Sequence, residues 1–241
     1  MVRQRLATAR RAVQGTSTGV EPMGRAPRAG ARARRVARVP LHSTSPADPV
    51  EGVIFDVGDT LLDEGKGWFS DDPLLPGVRR TLGEIQPQYR MAILSNTREA
   101  TRSDIAQELS RLGIAQHFQA IVTSTDIGWR KPHPLAFEAV LSALGLPPGR
   151  TVMVGNELDN DVAGAKAMGM RTVHLRWSPR YRQEPTAEEE RATVTIEEFN
   201  DLPVALERVR GERSPRRTAV IVEASLFQEG LPEKEEEKHG L

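Results

Sequence analysis

Five short apolar runs, at 52–57, 90–95, 119–123, 151–155 and 171–175, constrain the fold most. They are strand-sized and nearly continuous in apolar residues, as strands buried on both faces are. Segments of helical period separate the later runs. Ile105, Leu109 and Leu112 mark one. Phe137, Val140, Leu141 and Leu144 mark another, which Gly145 and Pro147 end. A third covers about 159–168 and stops at Gly169. This alternation predicts an α/β fold: a Rossmann-like doubly wound parallel sheet with helices on both faces. Right-handed crossovers then bring every strand's carboxyl end to one edge, where ligands bind. Residues 196–210 predict a last, weaker helix. The run at 219–222 is either an edge strand or nothing. No internal repeat is visible.

The chain has 241 residues, enough for one ordinary domain plus extensions. Residues 1–50 carry ten Arg against only Glu21 and Asp48, and no sustained apolar period. They cannot bury enough surface to offset ordering entropy, so disorder is expected. Such a segment reads as a basic arm, an organellar targeting peptide or an extension upstream of the true start, with Met23 as one alternative. Any nucleic-acid binding by it is expected to be nonspecific, because no aromatic residues interleave its arginines. The expected domain covers 51–210, and 211–241 reads as a charged, mostly disordered tail. Net charge is zero, which gives no reason to expect a nucleic-acid partner. The absence of Cys excludes disulfides, thiolate catalysis and cysteine zinc sites. The apolar runs are too short to span a membrane. A cytoplasmic location is expected, or an organellar one if 1–50 is a transit peptide. Oligomerisation is left open.

Four features fall at or just after strand ends. They are Asp56; Ser95-Asn96; Lys131; and the acidic stretch from Asn156 through Glu157 and Asp159 to Asp161. Each alone has an ordinary structural explanation as a turn, cap or solvated residue. Together, in this order and on one edge, they have a chemical logic. A carboxylate can attack a phosphoryl group and form an aspartyl-phosphate that water then hydrolyses. The Ser95 hydroxyl and nearby loop amides can donate to phosphoryl oxygens, and the Lys131 ammonium can neutralise developing charge. Carboxylate and phosphate are both anionic, so a hard cation must sit between them. Mg2+ suits an oxygen-donor site made by Asp56, a loop carbonyl and the acidic fourth segment.

On these motifs the chain resembles the haloacid dehalogenase-like hydrolase superfamily, over roughly residues 51–205. The phrases Arg130-Lys131-Pro132-His133-Pro134 and Asp161-Val162-Ala163-Gly164-Ala165-Lys166-Ala167-Met168-Gly169-Met170 carry the likeness further. The resemblance implies a Mg2+-dependent phosphatase acting on a phosphorylated small molecule or other phosphate ester. It implies Asp56 as nucleophile, Ser95, Asn96 and Lys131 as phosphate binders, and metal held by Asp56, the Gly58 carbonyl, Asn156 and Asp161.

Two positions depart from the family pattern. Gly58 stands where a second Asp usually protonates the leaving group, and Asn156 stands where Asp is more common. Asp59 reads better as a cap or turn residue than as a substitute acid, and Asp159 as serving the helix start. The intervals from Asp56 to Ser95 and from Ser95 to Lys131 leave no room for a substantial cap domain. Gly65-Lys66-Gly67-Trp68-Phe69 reads as a short flap with an aromatic tip. Two alternatives therefore stand beside the phosphatase. One is a phosphate- or metal-binding module with little or no catalysis. The other is a haloacid dehalogenase, which attacks with the same Asp and needs no metal but does need a cap.

Overall fold

The computed structural model describes residues 49–67 and 70–211. The arm up to 48, the tail from 212 with its 219–222 run, and the flap tip at Trp68 and Phe69 lie outside the described residues.

Six parallel strands form one sheet. They are β1 (Gly52–Phe55), β2 (Arg90–Ser95), β3 (Ala120–Thr123), β4 (Thr151–Gly155), β5 (Arg171–Leu175) and β6 (Val194–Ile196). The spatial order is β3-β2-β1-β4-β5-β6. The chain starts in the centre, winds outward to β3, then returns to β4 on the other side of β1. Strand order thus reverses between β1 and β4, where open sheets of this kind bind ligands. Register brings the site-bearing strand ends level: Phe55 lies opposite Ile93 on β2 and opposite Val154 on β4.

Side chains alternate across the sheet and split the core in two. Val53, Phe55, Met91, Ile93, Val152, Val154 and Val173 face one layer. That layer holds α1 (Val78–Ile85), α2 (Arg102–Arg111) and α6 (Leu202–Gly211). Ile54, Ala92, Leu94 and Met153 face the other, with α4 (Pro134–Leu144) and the short α5 (Gly164–Ala167). A single turn, α3 (Ser124–Ile127), follows β3 directly. Each long helix buries one stripe at helical spacing, as in Val78, Leu82 and Ile85, or Leu202, Ala205, Leu206 and Val209. The Thr101–Asp104 capping box starts α2, and Gly145 in the left-handed region ends α4.

The five predicted strands are present with edges shifted by no more than two residues. Three differences stand out. The 196–210 segment is not one helix: it opens with β6, passes a 3-10 turn at Phe199–Asp201, and becomes helical only at Leu202. Three strand residues are too few to leave a period of their own. The helix expected over 159–168 begins instead as a wide π-turn, Leu158–Ala163, before α5. Finally, α1 is an addition to the sequence reading.

No separate cap domain occurs among the described residues. After β1 the chain loops out and back, with Leu62 bridging Leu74 antiparallel. The described part of the flap lies within that loop. No helix among the described residues is long and apolar enough to cross a membrane.

Candidate active site

Asp56 follows β1 directly, and its N–H donates to the Val154 carbonyl of β4 at 2.9 Å. Continuing the sheet hydrogen bonding by one residue fixes its backbone. Its side chain is almost wholly buried. Oδ1 accepts from Lys131 Nζ at 2.6 Å. Oδ2 accepts from Thr60 Oγ1 at a long 3.4 Å. The Thr60 hydroxyl also reaches Asn156 Oδ1 at 3.2 Å, linking the ends of β1 and β4.

Lys131 comes from the loop between α3 and α4, whose Lys131–Pro132 peptide is cis. Asn96 clamps this loop from the end of β2. Its Nδ2 donates to the Lys131 carbonyl at 3.0 Å, and its Oδ1 accepts the Lys131 N–H at 2.8 Å. The Asn96 side chain, expected on phosphate, is thus turned to the lysine backbone, because its amide oxygen and nitrogen match the N–H and carbonyl of Lys131. It orients Lys131. Ser95 is buried beside it, and its hydroxyl has no hydrogen-bond partner among the described residues.

Asp161 completes the group. The π-turn after β4 swings its carboxylate back over the strand end, where Oδ2 accepts the Glu157 N–H at 3.0 Å. Wide turns of this type concentrate at functional sites. Asp161 Oδ1 lies 2.7 Å from Lys131 Nζ, outside hydrogen-bonding geometry. Gly155 makes this approach possible: a Cβ there would lie 2.2 Å from Asp161 Oδ2. Gly155→Ala is therefore expected to displace Asp161 and destabilise the fold by about 1–3 kcal/mol. Denaturant unfolding tests this, and a variant as stable as wild type contradicts it.

One buried ammonium thus stands between two buried carboxylates. Burial raises the Asp56 pKa from 3.8 to about 6; Lys131 opposes the rise and Asp161 adds to it. Burial raises Asp161 as well, again against Lys131. Burial also works against the Lys131 charge, but Asp161 and Asp56 outweigh it and hold the lysine above its ordinary value. The ammonium is fully charged, and the two carboxylates compete for it.

Asp59 takes no part in this group. It is fully buried with φ 50, a left-handed conformation that Asp tolerates better than most residues. Its carboxylate accepts from Arg180 Nε at 2.7 Å, Ser178 Oγ at 3.1 Å and the Glu64 N–H at 3.0 Å. Its carbonyl accepts from Trp177 Nε1 at 2.7 Å. The turn reading of Asp59 thus matches its geometry. Asp159 lies in the first turn after β4 and accepts the Asn160 N–H at 3.0 Å.

Two residues at the rim were not singled out from the sequence. Glu64, just before the flap, accepts from Tyr181 Oη at 3.1 Å. Burial raises the Glu64 pKa, and the charges of Asp59 and Asp56 add to it, against the Tyr181 hydrogen bond. Burial and Glu64 both push Tyr181 up, so the phenol stays a donor. The segment 176–181 follows β5, so the strand-end rule that found the other residues also points here. Glu157 hydrogen-bonds Asn160, and burial followed by the Asp56 charge raises its pKa.

The donors at this edge suit a hard divalent cation: two carboxylates, the Asn156 amide oxygen and loop carbonyls. Among the described residues no cluster of three His, Cys, Asp or Glu forms a ready cage. Asp161 Oδ1 is buried and accepts no hydrogen bond, so a cation there would share it with Lys131.

The chain is similar to known proteins in sequence and in fold. A family model described as haloacid dehalogenase-like hydrolase matches residues 72–175, which include Ser95, Lys131, Asn156 and Asp161. A glyceraldehyde 3-phosphate phosphatase of Pyrococcus furiosus is 30% identical over 138 residues, covering 57% of this chain and 56% of that protein. A ribulose-1,5-bisphosphate 5-phosphatase of Halopiger xanaduensis is 33% identical over 134 residues, 55% of this chain and 52% of that one. Among solved structures, an uncharacterized protein from Listeria monocytogenes superposes with TM-score 0.57 at 25% identity, over 67% of this chain and 99% of that one. A HAD phosphatase from Thermococcus onnurineus gives TM-score 0.54 at 20% identity, over 68% and 100%. Over residues 72–175 the chain is similar to the haloacid dehalogenase-like hydrolases. It spans about half the length of the curated relatives it matches.

Proposed function

We propose that this chain hydrolyses phosphate monoesters with Mg2+, through an aspartyl-phosphate on Asp56. The observation that carries this reading is the pairing of Asp56 with Lys131 at 2.6 Å, at the strand-order reversal of the sheet. Lys131 holds Oδ1 at 2.6 Å, while Thr60 reaches Oδ2 only at 3.4 Å, so we take Oδ2 as the attacking atom. A bond forms from Oδ2 to phosphorus as the ester oxygen leaves with its electron pair. Water then attacks the acyl phosphate, releases inorganic phosphate and regenerates the carboxylate. The Ser95 hydroxyl and the Lys131 ammonium bind phosphoryl oxygens, and Asn96 orients the lysine. Asp56, Asp161, Asn156 and the Gly58 carbonyl would hold Mg2+, which when bound offsets the repulsion between carboxylate and phosphate.

The named substrates of the relatives include glyceraldehyde 3-phosphate, ribulose 1,5-bisphosphate and phosphoglycolate. All are small phosphate esters of primary carbinols, and that is the class proposed here. Phosphate release across such a panel, with and without Mg2+, tests the reading. Melting shifts with ligand but no release from any ester would favour a non-catalytic binding module, the reading that Gly58 and Asn156 suggest.

A further inference from the structure

A leaving alkoxide needs a proton, and the carboxylates nearest Asp56 are engaged elsewhere. Asp161 pairs with Lys131, Asp59 is locked by Arg180 and Ser178, and Glu157 is held by Asn160. Glu64 is different. Position 58 lacks a side chain, and a Cβ built there would lie 2.2 Å from Glu64 Oε1 and 2.8 Å from its carboxyl carbon. The Glu64 carboxylate thus occupies the space that a side chain at 58, two residues after Asp56, would enter. It is held from two directions. Tyr181 Oη donates to Oε2 at 3.1 Å, and the Glu64 N–H donates to the buried Asp59 carboxylate at 3.0 Å. The loop after β1 and the segment after β5 jointly aim it.

We propose that Glu64, filling the space above Gly58 and anchored by Tyr181, is the general acid-base residue of the site. The inference rests on the phosphohydrolase reading. As the Asp56 Oδ2–phosphorus bond forms and the ester P–O bond breaks, the leaving oxygen takes the Glu64 proton. In the second half-reaction the Glu64 carboxylate accepts a proton from the attacking water. The acyl P–O bond then breaks and returns Asp56 to its carboxylate and Glu64 to its acid form.

The test uses the full chain with Mg2+ and two esters, glycerol phosphate and p-nitrophenyl phosphate. A poor leaving group needs the proton and a good one barely does. Glu64→Gln is expected to lower kcat on the alkyl ester by about 10^2-fold or more and on the aryl ester far less. Adding Gly58→Asp to Glu64→Ala puts a carboxylate back into the same space and is expected to restore part of the alkyl-ester rate. Gly58 is not among the glycines at positive φ, so the backbone accepts the aspartate. An active wild type whose two esters respond equally to Glu64→Gln overturns this inference alone. A wild type silent on both esters overturns the phosphohydrolase reading and the inference with it.

Discussion

Asp56→Asn is expected to abolish phosphate release while leaving the metal-free protein at least as thermally stable as wild type. Loss of a covalent nucleophile costs roughly 10^4–10^6-fold in kcat, and the amide oxygen of Asn does not replace it. The stability half follows from the charges. Asp56 and Asp161 are both buried and share one ammonium, so the group carries one surplus negative charge. The folded Asp56 pKa lies near 6, above its ordinary 3.8, so the fold binds a proton more tightly than the unfolded chain does. The resulting stabilisation is present below the unfolded value and is lost as pH rises through about 6. At neutral pH the ionised carboxylate works against the fold, and Asn removes that cost. The melting temperature of the variant relative to wild type should therefore rise between roughly pH 4 and pH 6, in chelator. A variant that melts lower at neutral pH would contradict this account of the charge balance.

Lys131→Met should be the most destabilising single change at the site. Met keeps the length and apolar stem of lysine but removes the only ammonium between the two carboxylates. Breaking a buried pair from one side typically costs about 3–5 kcal/mol, because the remaining charge is uncompensated. Here two carboxylates are left. The loss should be large at neutral pH and shrink on acidification, as Asp56 and Asp161 become protonated. Adding Asp161→Asn should recover much of it, since one carboxylate then remains instead of two. Denaturant unfolding of the single and double variants gives the coupling directly. A Lys131→Met protein as stable as wild type at neutral pH would mean that the ammonium does not hold the carboxylates together.

Much of this site is legible in the residues because the fold is parallel. Strands buried on both faces show as continuous apolar runs, and crossover handedness sends their carboxyl ends to one edge. Asp56, Lys131 and Asp161, 75 positions apart for the first pair, meet within 2.7 Å for that reason. What was not legible depends on side-chain reach. Asn96 could donate to phosphate or to backbone, and only the position of the Lys131 loop decides for backbone. Glu64 and Tyr181 lie 117 positions apart, and their contact depends on how the turn after Leu62 places Glu64 over Gly58. Sequence reading recognised Gly58 as a missing side chain. The carboxylate lying in its space comes from a neighbouring turn with no periodic signature. β6 was hidden for a simpler reason, its three-residue length.

The central claim is covalent catalysis on Asp56, and trapping the intermediate tests it most directly. Wild-type protein turning over a phosphate monoester with Mg2+ would be quenched in acid, digested and mapped by mass spectrometry. The account predicts a phosphoryl adduct on the peptide that carries Asp56, absent from the same peptide of Asp56→Asn. Steady phosphate release by both proteins, with no adduct on that peptide, would contradict it.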